Sequence, residues 1–151
     1  MFWKTVSSWI SPDSERVYYL PEFCGRPGSP LFHAAWVPAS RIQIHEKRYR
    51  KSLEFIPPQS VGIDAGSGLG FGTKILAGRA RRVIGMEISA ERISYARQIC
   101  GGLTNVEWVL IDFNAAADGD PLFSGAVDFV VSLETLLQLR YPETHLVRLR
   151  D

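Results

Sequence analysis

The sequence predicts an α/β fold in which a parallel sheet carries helices on both faces, and three observations predict it. Short apolar runs alternate with stretches of helical periodicity from about residue 42 onward. A glycine-rich turn follows the first run, and acids close three of the runs, at Asp64, Glu87 and Asp112. Strands that alternate with helices form parallel sheets with right-handed crossovers, and such sheets bind ligands at the carboxyl ends of their strands. We therefore expect one binding site at that edge.

The composition is that of a single soluble globular domain. The 151 residues are 46% hydrophobic and 22% charged, and the net charge is +1, which argues against nucleic acid or an acidic membrane as partner. The N-terminus lacks a signal-peptide pattern, and no apolar stretch reaches the roughly 18 residues of a membrane span, so we expect a cytoplasmic protein. Cys24 and Cys100 form no metal-ligand spacing. No metal is expected, and two free thiols are favoured over a disulfide.

The first 40 residues differ in pattern from the rest of the chain. They contain five prolines, which interrupt helices and central strands, so residues 1–40 are expected to form an irregular lead-in and residues 41–151 the domain. The stretch "IQIHEKRYRKSLEFI" then has apolar residues on one side of a helix. Pro57 and Pro58 end this helix.

The remaining elements follow in alternation. A buried strand is expected over residues 61–64, a short helix over 73–80 and a second strand over 81–88. The next helix has Ser89 as its N-cap, and Gly101 suits a left-handed stop at its end. Two further strands, "VEWVLID" and "AVDFVVSLE", and the start of a last helix, "HLVRLR", complete the pattern.

The turn "IDAGSGLGFG" is the most informative segment. Its four glycines fall at alternate positions, from Gly66 to Gly72. This spacing fits neither the G-x-G-x-x-G dinucleotide fingerprint nor the G-x-x-x-x-G-K-[ST] phosphate loop. Glycines permit the sharp strand-to-helix turn, whose free N–H groups favour anionic or electron-rich ligand groups. A tight turn without a ligand remains the alternative.

Each of the other strand ends carries a candidate polar group. Glu87 lies one strand-helix-strand unit after Asp64, where an acid can accept from both hydroxyls of a ribose; a solvated surface glutamate is the alternative. Asp112 can accept from an amine and Phe113 can cover a ring, although Asp after a strand is also a common turn residue. Glu134 either faces the ligand's reactive end or is an acid at a helix N-terminus.

Together these four strand ends resemble the class I S-adenosylmethionine-dependent methyltransferases. "VGIDAGSGLGFGT" resembles their first motif, "VIGMEIS" the ribose-binding second motif, "LIDF" the adenine-side motif and "VDFVVSLETLLQL" the fourth-strand motif. "HEKRY" resembles an H-x-x-R-Y element of a bacterial subgroup that methylates saccharides and small metabolites, as does the opening "ERVYYLPE". The resemblance covers about residues 40–151 and implies a Rossmann-like fold.

The resemblance also implies a cofactor, S-adenosyl-L-methionine, and a set of site residues. Arg48 of "HEKRY" would meet the cofactor's carboxylate as a charge-assisted hydrogen bond; a solvated basic helix face or a weak nucleic-acid patch is the alternative. Glu134 is the candidate catalytic group. The other implied contacts are the methionine part at Asp64, Ala65, Gly66, Ser67, Gly68 and Gly70, the ribose at Glu87, the adenine at Ile88, Asp112 and Phe113, and the methyl sulfonium near the backbone of Leu133.

The chain departs from the family pattern in two places. Relatives often have S-F-E-x-x-E-H in the fourth motif, whereas Leu137 and Gln138 stand here in place of the second acid and the histidine. A general base or metal ligand is absent there, and Glu134 is expected to have no obvious partner. The family sheet also has seven strands, of which about four are expected here. A truncated product or partial gene model is one interpretation, and a half-domain completed by another chain is the other.

The expected activity is methyl transfer to an oxygen or nitrogen of a small metabolite or saccharide. No base is required if the nucleophile is already aligned with the sulfonium carbon. A non-catalytic module that binds S-adenosylmethionine or S-adenosylhomocysteine is the second hypothesis. An NAD-dependent oxidoreductase is disfavoured by the glycine spacing, and a basic RNA scaffold is the remaining alternative.

Overall fold

A computed structural model of the chain describes residues 17–19, 36–115 and 127–150. The chain divides into two compact units, Met1–Lys47 and Arg48–Asp151. In the first unit, strand β1 (Val17–Tyr19) pairs antiparallel with strand β2 (Trp36–Pro38). The lead-in therefore contains a strand pair that the sequence did not predict, because three-residue strands are too short to show a sequence period. The other residues of the lead-in lie outside the described ranges.

The second unit contains a four-stranded parallel sheet. Its strands are β3 (Val61–Ala65), β4 (Arg82–Glu87), β5 (Val106–Leu110) and β6 (Phe129–Val131), in the spatial order β5-β4-β3-β6. The chain proceeds outward from β3 to β5 and then returns to the other side of β3. The strand order therefore reverses between β3 and β6, and such a reversal is where open α/β sheets bind their ligands.

The helices agree with the predicted order but not with every predicted boundary. Helix α1 (Ala39–Ser52) begins three residues before the predicted start and continues into a 3-10 turn, Leu53–Phe55, before the two prolines. Helix α2 (Phe71–Ala77) begins directly after the glycine turn. Helix α3 (Ala90–Ile99) is close to prediction, and α4 (Pro142–Arg150) begins with proline, which suits a first helical position.

The two ends of α3 give one confirmed prediction and one wrong one. Ser89 is the N-cap, and its hydroxyl accepts a hydrogen bond of 3.2 Å from the Arg92 N–H. Gly101 does not adopt the left-handed conformation. The helix instead ends at Cys100, a free buried thiol, and the Leu103 N–H donates to its carbonyl at 2.8 Å. A tight turn thus satisfies this carbonyl without a positive φ angle.

The two central strands of the sheet, β3 and β4, are buried on both faces. One cluster of apolar side chains includes Val83 of β4, and a second cluster, on the opposite face, includes Met86 of the same strand. The two residues are three positions apart, and successive strand residues point to opposite faces. Helices α1 and α2 contribute to the first cluster. Phe113 packs against the second cluster and meets the ring of His145 on α4 at 4.6 Å. The buried members are Tyr49, Ile56, Leu76, Ala77, Ala80, Val83 and Val131 in the first cluster and Ile63, Ala65, Met86 and Ile111 in the second.

Candidate functional site

The glycine turn joins β3 to α2 at the carboxyl edge of the sheet. Gly66, Gly68 and Gly70 have φ angles of 80°, 55° and 82°, a region that glycine adopts without steric cost. The N–H groups of Gly66 and Ser67 both donate to the Met86 carbonyl at 2.9 Å. The turn is therefore attached to the end of β4 and has a fixed backbone conformation.

The glycines of this turn are also required by what packs against them. A Cβ on Gly66 would overlap the hydroxyl of Thr135, and one on Gly70 would lie 2.8 Å from the side chains of Ala96 and Trp108. The fourth glycine, Gly72, lies in α2 beneath the Tyr49 ring, which a Cβ would overlap. The alternate spacing thus combines left-handed turn positions with close packing.

Asp64 lies behind the turn and holds it to two helices. Its carboxylate is fully buried, and it accepts hydrogen bonds from the Tyr49 hydroxyl at 2.9 Å and the Thr73 hydroxyl at 2.6 Å. Burial raises the pKa of this carboxyl to about 6, against the lowering effect of the two hydroxyl donors, and the Glu87 charge adds to the rise. The structure therefore gives Asp64 contacts through which it orders the turn, and the contact with a ligand's methionine part remains a prediction.

Glu87 ends β4 and connects the turn to the start of α3. Its Oε2 accepts from the Gly68 N–H at 3.0 Å and its Oε1 from the Ser89 N–H at 3.0 Å, while Arg92 lies 3.5 Å from Oε1. The residue is only 3% exposed, so the interpretation as a solvated surface glutamate is wrong. Each carboxylate oxygen offers two lone pairs. Oε2 therefore retains acceptor capacity among the described contacts.

The chain forms a turn after β5, and hydrogen bonds of Asp112 and Asn114 stabilise it. Asp112 accepts from the Asn114 N–H at 2.9 Å, so it acts as a turn residue here, and its other oxygen is not involved in that bond. Asn114 in turn accepts from the Arg140 N–H at 2.8 Å, which links this turn to the segment after β6. Ile88 and Leu110, at the ends of the two neighbouring strands, are 58% and 59% exposed and present apolar surface at this edge.

The segment after β6 is joined to helix α1 by an ion pair at Glu134. Glu134 forms an ion pair with Arg48, a residue 86 positions earlier, so the expectation that Glu134 has no obvious partner is wrong. The neighbouring Thr135 donates its hydroxyl to the Ala65 carbonyl at 2.8 Å. The element that follows directly is a 3-10 turn, Leu136–Gln138, and α4 begins only at Pro142, so Glu134 is not an acid at the N-terminus of an α-helix.

Several side chains contact the site although the sequence did not predict them there. Thr73, Thr135 and Trp108 all contact the turn or Asp64, yet the sequence predicted no role for any of the three. The structure does bring the predicted residues together, because all but Arg48 lie at or after the carboxyl ends of β3 to β6, and Arg48 on α1 forms an ion pair with Glu134. Ala65 is fully buried, Ser67 donates its hydroxyl to the Met86 carbonyl at 3.3 Å, and Leu133 packs against the first core cluster.

A family model described as a methyltransferase domain matches residues 63–150, more than half of the chain. The chain belongs to this methyltransferase domain family. The matched region begins within β3 and includes the turn, Glu87, Asp112 and the Glu134 segment. The predicted class and fold are thereby confirmed, whereas no comparison tests the roles of individual residues.

Solved structures of similar fold include proteins with different named activities. A SAM-dependent methyltransferase from Aquifex aeolicus is 24% identical over 68% of this chain and 56% of its own, with a TM-score of 0.57. Phosphoethanolamine N-methyltransferase 1 from Haemonchus contortus, solved with S-adenosylhomocysteine, is 17% identical over 72% of this chain and 22% of its own (TM-score 0.57). The [4+2]-cyclase SpnF is 19% identical over 71% of this chain and 41% of its own (TM-score 0.59).

These likenesses establish the fold but not the reaction. The chain spans little more than half the length of the Aquifex protein and less of the other two. No curated protein matches the chain. In the described part of the chain, no helix has the length and apolar character needed to span a membrane.

Proposed function

We propose that this chain binds S-adenosylmethionine and forms the cofactor-binding part of an enzyme that methylates an oxygen or nitrogen of a small metabolite or saccharide. The carrying observation is the junction between the glycine turn and Glu87. Three glycines in the left-handed region leave the turn without side chains at those positions, and the Gly68 N–H donates to the Glu87 carboxylate. The same junction therefore allows a ligand to approach the backbone closely and offers it a fixed carboxylate acceptor.

The residues at this edge fit the parts of S-adenosylmethionine. The remaining acceptor capacity of Glu87 Oε2 suits a ribose hydroxyl, and the exposed side chain of Ile88 suits the face of an adenine. Asp112 and Phe113 lie at the neighbouring strand end, where the adenine amine would be. The guanidinium of Arg48 suits the cofactor's carboxylate. The methionine part would lie along Gly66, Gly68 and Gly70, in front of Asp64, Ala65 and Ser67 and near the backbone of Leu133.

An orphaned polar atom supports a ligand near the end of β6. The hydroxyl oxygen of Ser132 is buried and has no hydrogen-bond partner among the described residues. Buried hydroxyls are nearly always satisfied, so such an atom at the strand-order reversal is consistent with a group that a ligand supplies. Ser132 directly follows β6 and precedes Leu133, the residue expected near the sulfonium.

The chain would promote methyl transfer mainly by aligning the cofactor with the nucleophile, and less by removing a proton. When bound, S-adenosylmethionine supplies an electrophilic methyl group on its sulfonium. The ordered turn fixes the cofactor, and placing a nucleophile in line with that methyl group provides much of the rate. Glu134 is the candidate catalytic carboxylate, although Arg48 engages it in the described contacts. The "HEKRY" element is what supports a saccharide or small metabolite as acceptor.

The ribose assignment is tested by calorimetry with S-adenosylhomocysteine. Glu87→Ala should weaken binding about tenfold to a hundredfold, because it removes hydrogen bonds to a charged acceptor. Glu107→Ala is the matched control, since Glu107 is an acid on the next strand that is half-exposed and paired with Arg82; its affinity should equal that of the unchanged protein. Equal affinity in Glu87→Ala would refute the ribose assignment.

A second candidate is a module that binds the cofactor or its demethylated product without turnover. The observation that favours it is the ion pair at Glu134, which occupies the candidate catalytic carboxylate. The presence of a protein named as a cyclase among the structural neighbours is consistent with it. Radiolabelled S-adenosylmethionine offered with a panel of sugars and small amines distinguishes the two: labelled product supports the enzyme, and tight binding with no product supports the module.

A further inference from the structure

The Arg48–Glu134 ion pair joins α1 to the segment after β6, and the next residue after each member binds β3. Arg48 precedes Tyr49, whose hydroxyl donates to Asp64 of β3. Glu134 precedes Thr135, whose hydroxyl donates to the carbonyl of Ala65, the next residue of β3. The pair is thus adjacent in sequence to two side chains that bind the last two residues of β3, where the strand order reverses.

Glu134 has a backbone conformation that glutamate rarely adopts. Its φ angle is 62°, in the left-handed region that is sterically costly for residues with a side chain. The Thr135 bond to β3 holds the following residue, and the Gln138 side chain donates to the Glu134 carbonyl at 3.1 Å. Strain of this kind persists where surrounding contacts impose it, and it clusters at functional sites. Here its effect is to direct a carboxylate at Arg48.

We propose that Arg48 exchanges carboxylates: Glu134 holds it in the free protein, and the α-carboxylate of the ligand's amino-acid group replaces Glu134 on binding. This inference rests on the proposed cofactor. The pair would then act as a competitor that lowers the affinity for ligands bearing an α-carboxylate. Binding would also release the Glu134 carboxylate beside the reacting end of the ligand, so that it becomes available to the methyl acceptor only after the cofactor is in place.

Because the ion pair is exposed, breaking it costs little free energy. The side chains of Arg48 and Glu134 are 49% and 47% exposed, and ion pairs in that setting contribute little because water and salt screen them. Two carboxylates beside one guanidinium also repel each other at short range. The ligand's carboxylate therefore gains most when Glu134 is displaced or uncharged, and the expected size of the effect is about two- to fivefold in affinity.

The test compares two ligands that differ in the amino-acid group. S-Adenosylhomocysteine carries the α-carboxylate, whereas 5′-methylthioadenosine has the same nucleoside without it. By calorimetry in low salt, Glu134→Gln should bind S-adenosylhomocysteine about two- to fivefold more tightly than the unchanged protein and 5′-methylthioadenosine equally well. The gain should decline as sodium chloride is raised, since salt screens exposed charges.

Glu54→Gln is the matched control, because Glu54 forms an exposed ion pair with Lys51 elsewhere on the same unit. It should leave both affinities unchanged, and thermal unfolding should show that all variants remain folded. Equal or weaker binding of S-adenosylhomocysteine by Glu134→Gln would overturn the exchange while leaving the proposed cofactor intact. Failure of the unchanged protein to bind S-adenosylhomocysteine would overturn the proposed cofactor, and the exchange with it.

Discussion

The back and the front of the glycine turn are built on opposite principles. Behind the turn, Asp64 is fully buried and both of its oxygens accept hydrogen bonds, from Tyr49 and Thr73. In front of it, Arg48 and Glu134 form a half-exposed ion pair on a strained backbone. Buried, satisfied contacts fix a shape, whereas exposed charges exchange partners readily. The comparison indicates that buried contacts set the turn's conformation from behind, whereas in our proposal the exposed ion pair in front selects the ligand.

The largest expected effect comes from adding one methyl group to the turn, on the side that packs against Thr135. Gly66→Ala places a Cβ into the Thr135 hydroxyl at a φ angle of 80°. Left-handed strain and overpacking together should lower the free energy of unfolding by about 2–4 kcal/mol, as measured by urea denaturation. Gly102→Ala is the control, because a Cβ there meets nothing within 4 Å. A Gly66→Ala variant as stable as Gly102→Ala would contradict the described packing.

An intermediate effect comes from the titration of Asp64. The unfolded chain loses this proton near pH 3.8 and the folded protein only near a pKa of about 6. The folded state holds the extra proton between those values, so its free energy of unfolding falls as the pH rises through this window. Asp64→Asn cannot titrate and should lack this decrease, which we expect to be on the order of 1–3 kcal/mol.

Urea denaturation at several pH values from 4 to 7 measures that difference, with Glu143→Gln on α4 as a control for an exposed carboxyl. The quantity that decides is the slope of stability with pH, because a uniform loss in Asp64→Asn would report only the missing hydrogen bonds. Parallel pH profiles for Asp64→Asn and the unchanged protein would show that the buried carboxyl does not have a raised pKa.

The smallest expected effect tests the backbone strain at Glu134, in front of the turn. Glu134→Gly relieves the left-handed strain, and Glu134→Ala keeps it while removing the same carboxylate. The glycine variant should therefore be more stable than the alanine variant by about 0.5–1 kcal/mol, the strain less the entropy cost of glycine. Thermal unfolding under identical conditions compares them. An alanine variant equal to or more stable than the glycine variant would show that the backbone at residue 134 is not strained.

The sequence predicted the regular parts of the sheet and most of the edge where the site lies. The apolar strands around Ile63 and Val83 and the Ser89 cap have local signals, since periodicity and capping act over a few residues. Contacts between distant segments have no such signal. Arg48 and Glu134 are 86 positions apart, and nothing near either residue identifies the other.

The errors have separate causes. Gly101 was expected to be left-handed because glycine often ends helices that way, but a following turn satisfies the Cys100 carbonyl instead. The β1–β2 pair was missed because its strands contain three residues each. The position of Glu87 after an apolar strand indicated in the sequence that this residue is buried. Its contacts with Gly68 and Ser89 had no sequence signal and are seen only in the structure.

Backbone amide shifts measured during a titration test the central claim most directly, namely that the glycine turn is the ligand-binding element. In ¹⁵N-labelled protein titrated with S-adenosylhomocysteine, the amides of Gly66, Gly68 and Gly70 and that of Ile88 should move most. Those of Gly101 and Gly102, beyond the end of α3, should stay in place. Saturable binding that leaves the three turn glycines unmoved, or no binding at all, would contradict the claim.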